Sequence, residues 1–334
     1  MVFGFALPVV AGFLLSAVAT WTGIAGTTGL RLQLLFGLWL VARIVLWLFA
    51  PWLLLAWVAE SLFIAFVMFE LGQRVWARRQ WRNMVFLPVL LFLALLNTAS
   101  YATTDDITTS TQIHYGAIWM ITALIVIVGG RVIPLFTANR LNLEYSPLPA
   151  WFEYSALASV LLIGLATVLW PTELSGTWMR GLCLATGALH LFRLGRWQGL
   201  KTARVPLLWS MHLSYLCIPL ALLGLGLVGH NVVAIKNLVH LLAVGAIGGM
   251  VLSMMCRVSL GHTGRTVQVP QYLAVAFAAL FVTALVRAIV PMLWPNLTMD
   301  AWRLSAMLWV GVFSLFLLRY LPVLIRPRID NKPG

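Results

Sequence analysis

Eleven stretches of this chain stay apolar over a length that can cross a lipid bilayer, and this restricts the fold more than any motif does. A bilayer core takes about 20 apolar residues per spanning helix. The stretches are 3–20, 33–50, 52–71, 84–103, 112–130, 152–170, 178–195, 206–228, 233–256, 270–294 and 302–321. None alternates apolar and polar residues as an outer-membrane barrel strand does. The expected fold class is therefore all-α: a polytopic membrane helical bundle of about eleven transmembrane helices. It forms a single transmembrane domain over residues 1–334, with a short cytoplasmic tail at 322–334. Composition points the same way. Apolar and aromatic residues make up 62% of the chain and charged residues 9%, against roughly a quarter charged in a soluble domain. So few charges cannot build an aqueous surface, which excludes a soluble globule, a disordered chain and a fibrous protein.

The net charge of +13 would suggest nucleic acid in a soluble protein. Here the distribution explains it. Arg31, Arg74, Arg78, Arg79, Arg82, Arg131, Arg140, Arg193, Arg196, Lys201, Arg204, Arg257, Arg265, Arg319, Arg326, Arg328 and Lys332 fall on one side, in alternate loops, at the stretch ends that adjoin them or in the tail. The intervening loops hold Arg180, Lys236 and Arg303, with Asp105, Asp106, Glu173 and Asp300. Positive charge collects on the cytoplasmic side, so the C-terminus is expected there, in a bacterial inner membrane. Trp76 and Trp81 among the arginines read as interfacial anchors and not as a nucleic-acid patch. Eleven helices then place the N-terminus outside. Residues 1–5 carry no basic residue to set that orientation, so the chain is expected to lack an N-terminal helix that its relatives have.

Most motifs fail their context tests. Gly224-Leu-Gly226-Leu-Val-Gly229 matches a dinucleotide fingerprint but follows a helix, so close helix packing is the better account. Cys183, Cys217 and Cys256 form no CxxC and read as packing residues. No catalytic motif is present, so enzyme activity is left open. Met250 and Met254 share a helical face; thioethers suit Cu(I), but plain packing accounts for them.

Polar groups at membrane depth are costly and tend to be functional. His190 and Arg193 share a face of segment 178–195. His212 lies in Trp209-Ser-Met-His212-Leu-Ser-Tyr215. The two segments should be antiparallel neighbours, with both imidazoles at similar depth. Two facing imidazoles are what axial haem ligation requires, with Arg193 at the interface edge for a propionate and Trp209 and Tyr215 flanking the ring. The plainer account is that each histidine bonds a neighbouring helix. His240, in the outer part of its segment, would serve a second site. His262, bracketed by glycines in a cytoplasmic loop, would be structural or an inner-surface ligand. His114 and His230 read as surface histidines, Glu70 as solvated, Arg43–Glu60 as an ion pair, and Arg287 as lacking a partner.

At these residues the sequence resembles the NnrS family of membrane proteins. Four blocks carry the resemblance: MVFGFALPVVAGFLLSAVATWTG at 1–23; GGRVIPLFTAN at 129–139, similar to a family loop; His190 to Arg193 with WSMHLSY; and HLLAVGAIGGMVLSMMCRVSLGHTGR at 240–265. The resemblance implies about twelve helices, haem and copper as cofactors, and a role in denitrification and protection against nitric oxide. Nitric oxide or a related small molecule would be the partner, within a lipid bilayer. The family block carries His and Glu before the methionine matching Met1, and Ala19-Thr20 stand where Pro-Asn is common. The alternatives are a proton-coupled small-molecule transporter that uses Arg43–Glu60 and the midplane histidines, and a non-catalytic membrane component.

Overall fold

Backbone groups have no water to bond inside a bilayer, so an apolar chain must satisfy them within each segment, as helices. A computed structural model describes residues 2–48, 52–170, 176–229 and 231–330, with no strand among them. Met1, Glu173, His230 and Lys332 lie outside the described residues. The helices are α1 (Val2–Thr22), α2 (Gly29–Leu48), α3 (Leu53–Ala77), α4 (Phe86–Ala102), α5 (Ile107–Leu141), α6 (Ala150–Leu169), α7 (Thr177–Gly195), α8 (Pro206–Val228), α9 (Val232–His262), α10 (Gln271–Leu293) and α11 (Thr298–Leu324). Each expected stretch falls in one of them. Among the described residues ten helices are long and apolar enough to span a membrane. The exception is α7, whose 19 residues include Arg180, His190 and Arg193.

Two ends differ from expectation. The stretch 129–139 is helical and not a loop. Helix α5 continues through Pro134 to Leu141, because Ile133 and Thr137, one turn apart, bury the same face, and it stops where Asn142 turns left-handed at φ 50. His262 is the last residue of α9 and not part of a loop. Past it Arg265 N–H donates to Leu260 O (2.9 Å) and Gly264 N–H to Gly261 O (3.3 Å), with Gly264 at φ 73. This is a Schellman cap. Within α9, residues Leu241–Gly248 are π-helical.

The chain divides into two compact units. One comprises Met1–Leu124 and Thr167–Leu169, the other Ile125–Ala166 and Trp170–Gly334. In the first, α3 packs against α1, α2 and α4. Arg43 pairs with Glu60, which also accepts from the Tyr101 hydroxyl (2.8 Å). Glu70 is buried, not solvated. It accepts from Thr27 (2.7 Å), Arg31 (3.2 Å), Gln73 (3.1 Å) and Arg74 (2.9 Å). The helical spacing of Glu70 and Arg74 makes the pairing local, and α2 closes over it. Asp106 caps α5 through the Thr108 and Thr109 amides. The Thr109 hydroxyl and these amides hold its carboxyl below the ordinary range, so the cap stays charged until the pH falls through that lowered value.

In the second unit α7 and α8 pack along their length. Two glycines of the rejected fingerprint admit the neighbours of α8, Gly226 toward α7 and Gly224 toward α9. A side chain at Gly226 would meet Leu184 Cγ at 2.5 Å, and one at Gly224 would meet Leu238 Cδ2 at 2.6 Å. Met250 and Met254 are both buried.

Removing the Glu70 carboxylate leaves Arg74 buried without its ion-pair partner. Glu70→Leu is expected to lower unfolding stability in detergent by about 3–5 kcal/mol. The exposed Glu144→Leu should stay within about 0.5 kcal/mol of the parent. Equal effects would remove the structural role of Glu70.

Candidate functional site

The expected site residues lie in the second unit; His190, Arg193, His212 and Tyr215 lie toward the ends of α7 and α8 that adjoin the 196–205 loop, and His240 and His262 lie on α9. Arg193 is buried in α7 (1% exposed) and not at an interface edge. A charge there must be paired. Its Nε donates to Glu153 Oε1 (3.2 Å) and its Nη2 to Oε2, a fork on the first turn of α6. Its Nη1 donates to Val126 O (3.1 Å) and to the Tyr215 hydroxyl (2.6 Å). Gly130 has no side chain to obstruct the guanidinium, and the Tyr215 ring lies 3.4 Å from where a Gly129 side chain would start. The Gly129-Gly130 pair of the second block therefore lets α5 lie against this network.

Hydrogen-bond roles follow from proton counting. Tyr215 oxygen accepts from Arg193, so its proton goes to His190 Nδ1 (2.8 Å). His190 Nε2–H then donates to Ala156 O (3.2 Å). His190 is thus satisfied as a neutral imidazole.

His212 is not. Its Nδ1 faces Leu208 O at 2.9 Å and its Nε2 faces Trp197 O at 3.4 Å. A neutral ring has one N–H and one lone pair, and both nitrogens here face acceptors. The shorter contact takes the proton, so the Nε2 lone pair points at an oxygen in a site 6% exposed. The loop backbone approaches because residue 199 is glycine: a side chain there would begin 2.7 Å from His212 Cδ2.

Trp197 closes the site. It stands edge-on to Tyr215 at 4.5 Å and to His212 at 6.4 Å, and the Arg193 guanidinium lies 5.3 Å from its ring centre. Trp209 packs elsewhere, edge-on to Phe277 of α10. Thr186, on α7 beside this face, is buried with no partner for its hydroxyl among the described residues.

The other histidines are apart from this cluster in their bonding. His240 Nδ1 donates to Lys236 O (2.8 Å), and its Nε2 accepts from Arg287 Nη2 (3.1 Å). Arg287 therefore has a partner, and it also covers the Trp302 ring at 4.4 Å. His262 is exposed. Among the described residues no three His, Cys, Asp or Glu come together as a metal-binding group.

Glu153 and Trp197 are the residues that spacing did not single out. An acid in the first turn of an otherwise apolar helix is the signal for Glu153. Trp197 follows Arg193 and Arg196 as an ordinary interfacial tryptophan would, and nothing marks it as buried.

Fold and site together define a multi-pass, all-helical membrane protein with a buried ionic and aromatic network. No curated protein and no solved structure matches the chain. The family described as NnrS protein matches residues 1–328, nearly the whole length, and the chain belongs to that family.

The fork predicts strong coupling. Glu153→Leu strands Arg193 and is expected to cost about 3–5 kcal/mol in detergent unfolding. The Glu153→Leu/Arg193→Leu double variant should cost at least about 1 kcal/mol less than the sum of the singles. Strict additivity would refute the pairing.

Proposed function

We propose that the chain is a haem-binding inner-membrane protein of the nitric oxide response, in denitrifying or nitrosatively stressed bacteria. Family membership supports the setting. The observation that carries the haem reading is His212: an imidazole in an oily interior, its Nδ1–H anchored on a carbonyl and its Nε2 lone pair facing an oxygen. Metal-ligating histidines are commonly held this way, with the second nitrogen donating to a backbone carbonyl. A metal at Nε2 would replace an unfavourable contact with a bond.

His190 fits a different role. To hold the haem as well, it would have to surrender the bond to Ala156 or that to Tyr215. Likewise a haem propionate at Arg193 would have to displace Glu153. Among the residues present His212 would hold the haem, with His190, Tyr215 and Arg193 as the network that positions α7 and α8. Bound haem iron would supply a coordination position for nitric oxide. Trp197 and Tyr215 exclude water from it, and the apolar surroundings favour a small neutral gas.

Copper as a second metal fits less well at His240, where the Arg287 cation stands on the ring nitrogen a metal would use. His262 is the open imidazole. The reading assigns binding and no catalytic residue. The positive-inside distribution supports a cytoplasmic C-terminus.

The test is absorbance of protein purified from haem-replete cells. A Soret band is expected, lost in His212→Ala and retained, with a shifted maximum, in His190→Ala. A colourless parent would reject the haem reading. A full band in His212→Ala would reject the ligand.

A further inference from the structure

A cavity of about 480 Å³ in the second unit lies away from the network above, and its lining changes character along one helix face. Arg319 lines it from α11, together with Leu315 and Leu318 on the same face, and Arg326 lines it from just past the end of that helix. Arg265, the last residue of the α9 cap, and Tyr272, at the start of α10, line it as well. Among the described residues no carboxylate lines it. The nearby Asp330 is held by Arg328 through two bonds of 2.8 and 2.7 Å.

We infer that this groove holds the headgroup phosphate of an anionic phospholipid. Three guanidiniums line it with no carboxylate among its described lining residues, and guanidinium matches phosphate geometry. The lining residues of α11 run from Leu315 to Val323, roughly 12 Å along the helix at 1.5 Å per residue, and Arg326 follows past its end. Over that length the wall passes from apolar to basic, which is the layout of a lipid and not of a free anion. Leu318 is 77% exposed and belongs to a helix that crosses the membrane, so the apolar end opens toward acyl chains. The basic end belongs to the charge-rich side, where basic pockets between helices meet anionic headgroups. Tyr272 is half exposed at the rim, placing a hydroxyl at headgroup level.

The inference is separate from the haem reading and is tested without it. Purified full-length protein is titrated with phosphatidylglycerol, phosphatidylcholine or inorganic phosphate, and adducts are counted by native mass spectrometry. Phosphatidylglycerol is expected to be retained in preference to phosphatidylcholine, and the Arg319→Gln/Arg326→Gln variant should lose about tenfold or more in retention. The Arg319→Lys/Arg326→Lys variant should recover most of the loss. Arg303→Gln, on an exposed pair with Asp300, should behave as the parent. Equal retention of the two lipids, unchanged retention in the glutamine variant, or displacement of lipid by equimolar inorganic phosphate would each overturn it.

Discussion

A guanidinium cannot stay charged in hydrocarbon without an acceptor, and the second unit is arranged around meeting that demand for Arg193. Glu153 supplies the carboxylate from α6, Val126 a carbonyl from α5 and Tyr215 a hydroxyl from α8. Four helices are thereby referenced to one side chain. Removing any partner leaves a buried group unsatisfied, so the helices cannot slide independently. The same logic recurs at Glu70 in the first unit and at Arg287 with His240 in the second.

Small residues make this arrangement sterically feasible. Gly130 clears the guanidinium, Gly199 admits the loop to His212, and Gly187 brings α7 against Leu223 of α8. Membrane helices gain little from burying apolar surface against each other, so close backbone approach and polar contacts decide how they pair. The result is a site whose polar groups are satisfied by the fold itself, with His212 Nε2 and the Thr186 hydroxyl as exceptions. Those two exceptions lie on the facing helices α8 and α7.

Much of the fold was legible because span length and apolarity are set by the bilayer. The pairing of α7 with α8 followed from a short connection, and the pairing of Arg43 with Glu60 from neighbouring segments. What was not legible depended on distant chain. Glu153 is an ordinary first-turn acid until α7 is placed beside it. Glu70 looked solvated because a position near a helix end does not reveal that Thr27 and Arg31 fold over it. Arg287 looked alone because its partner sits on α9. The end of α5 lies past residue 130 because Arg131 and Arg140 read as loop charges, whereas burial of Ile133, Thr137 and Ala138 sustains the helix. For the candidate site, spacing brought His190, Arg193 and Tyr215 together, but not the loop that carries Trp197 over His212.

The π-helical stretch at Leu241–Gly248 has a consequence for how α9 is probed. Each residue there advances by a smaller angle than in an α-helix, because the hydrogen bonds reach one position further. His240 and Met254 would share a side of a uniform helix, yet the wide turns between them rotate one away from the other. A helical wheel drawn through the whole of α9 therefore carries a phase slip at its glycine-rich middle. A labelling scan of this helix will show two periodic patterns out of step, and each half must be indexed from its own end.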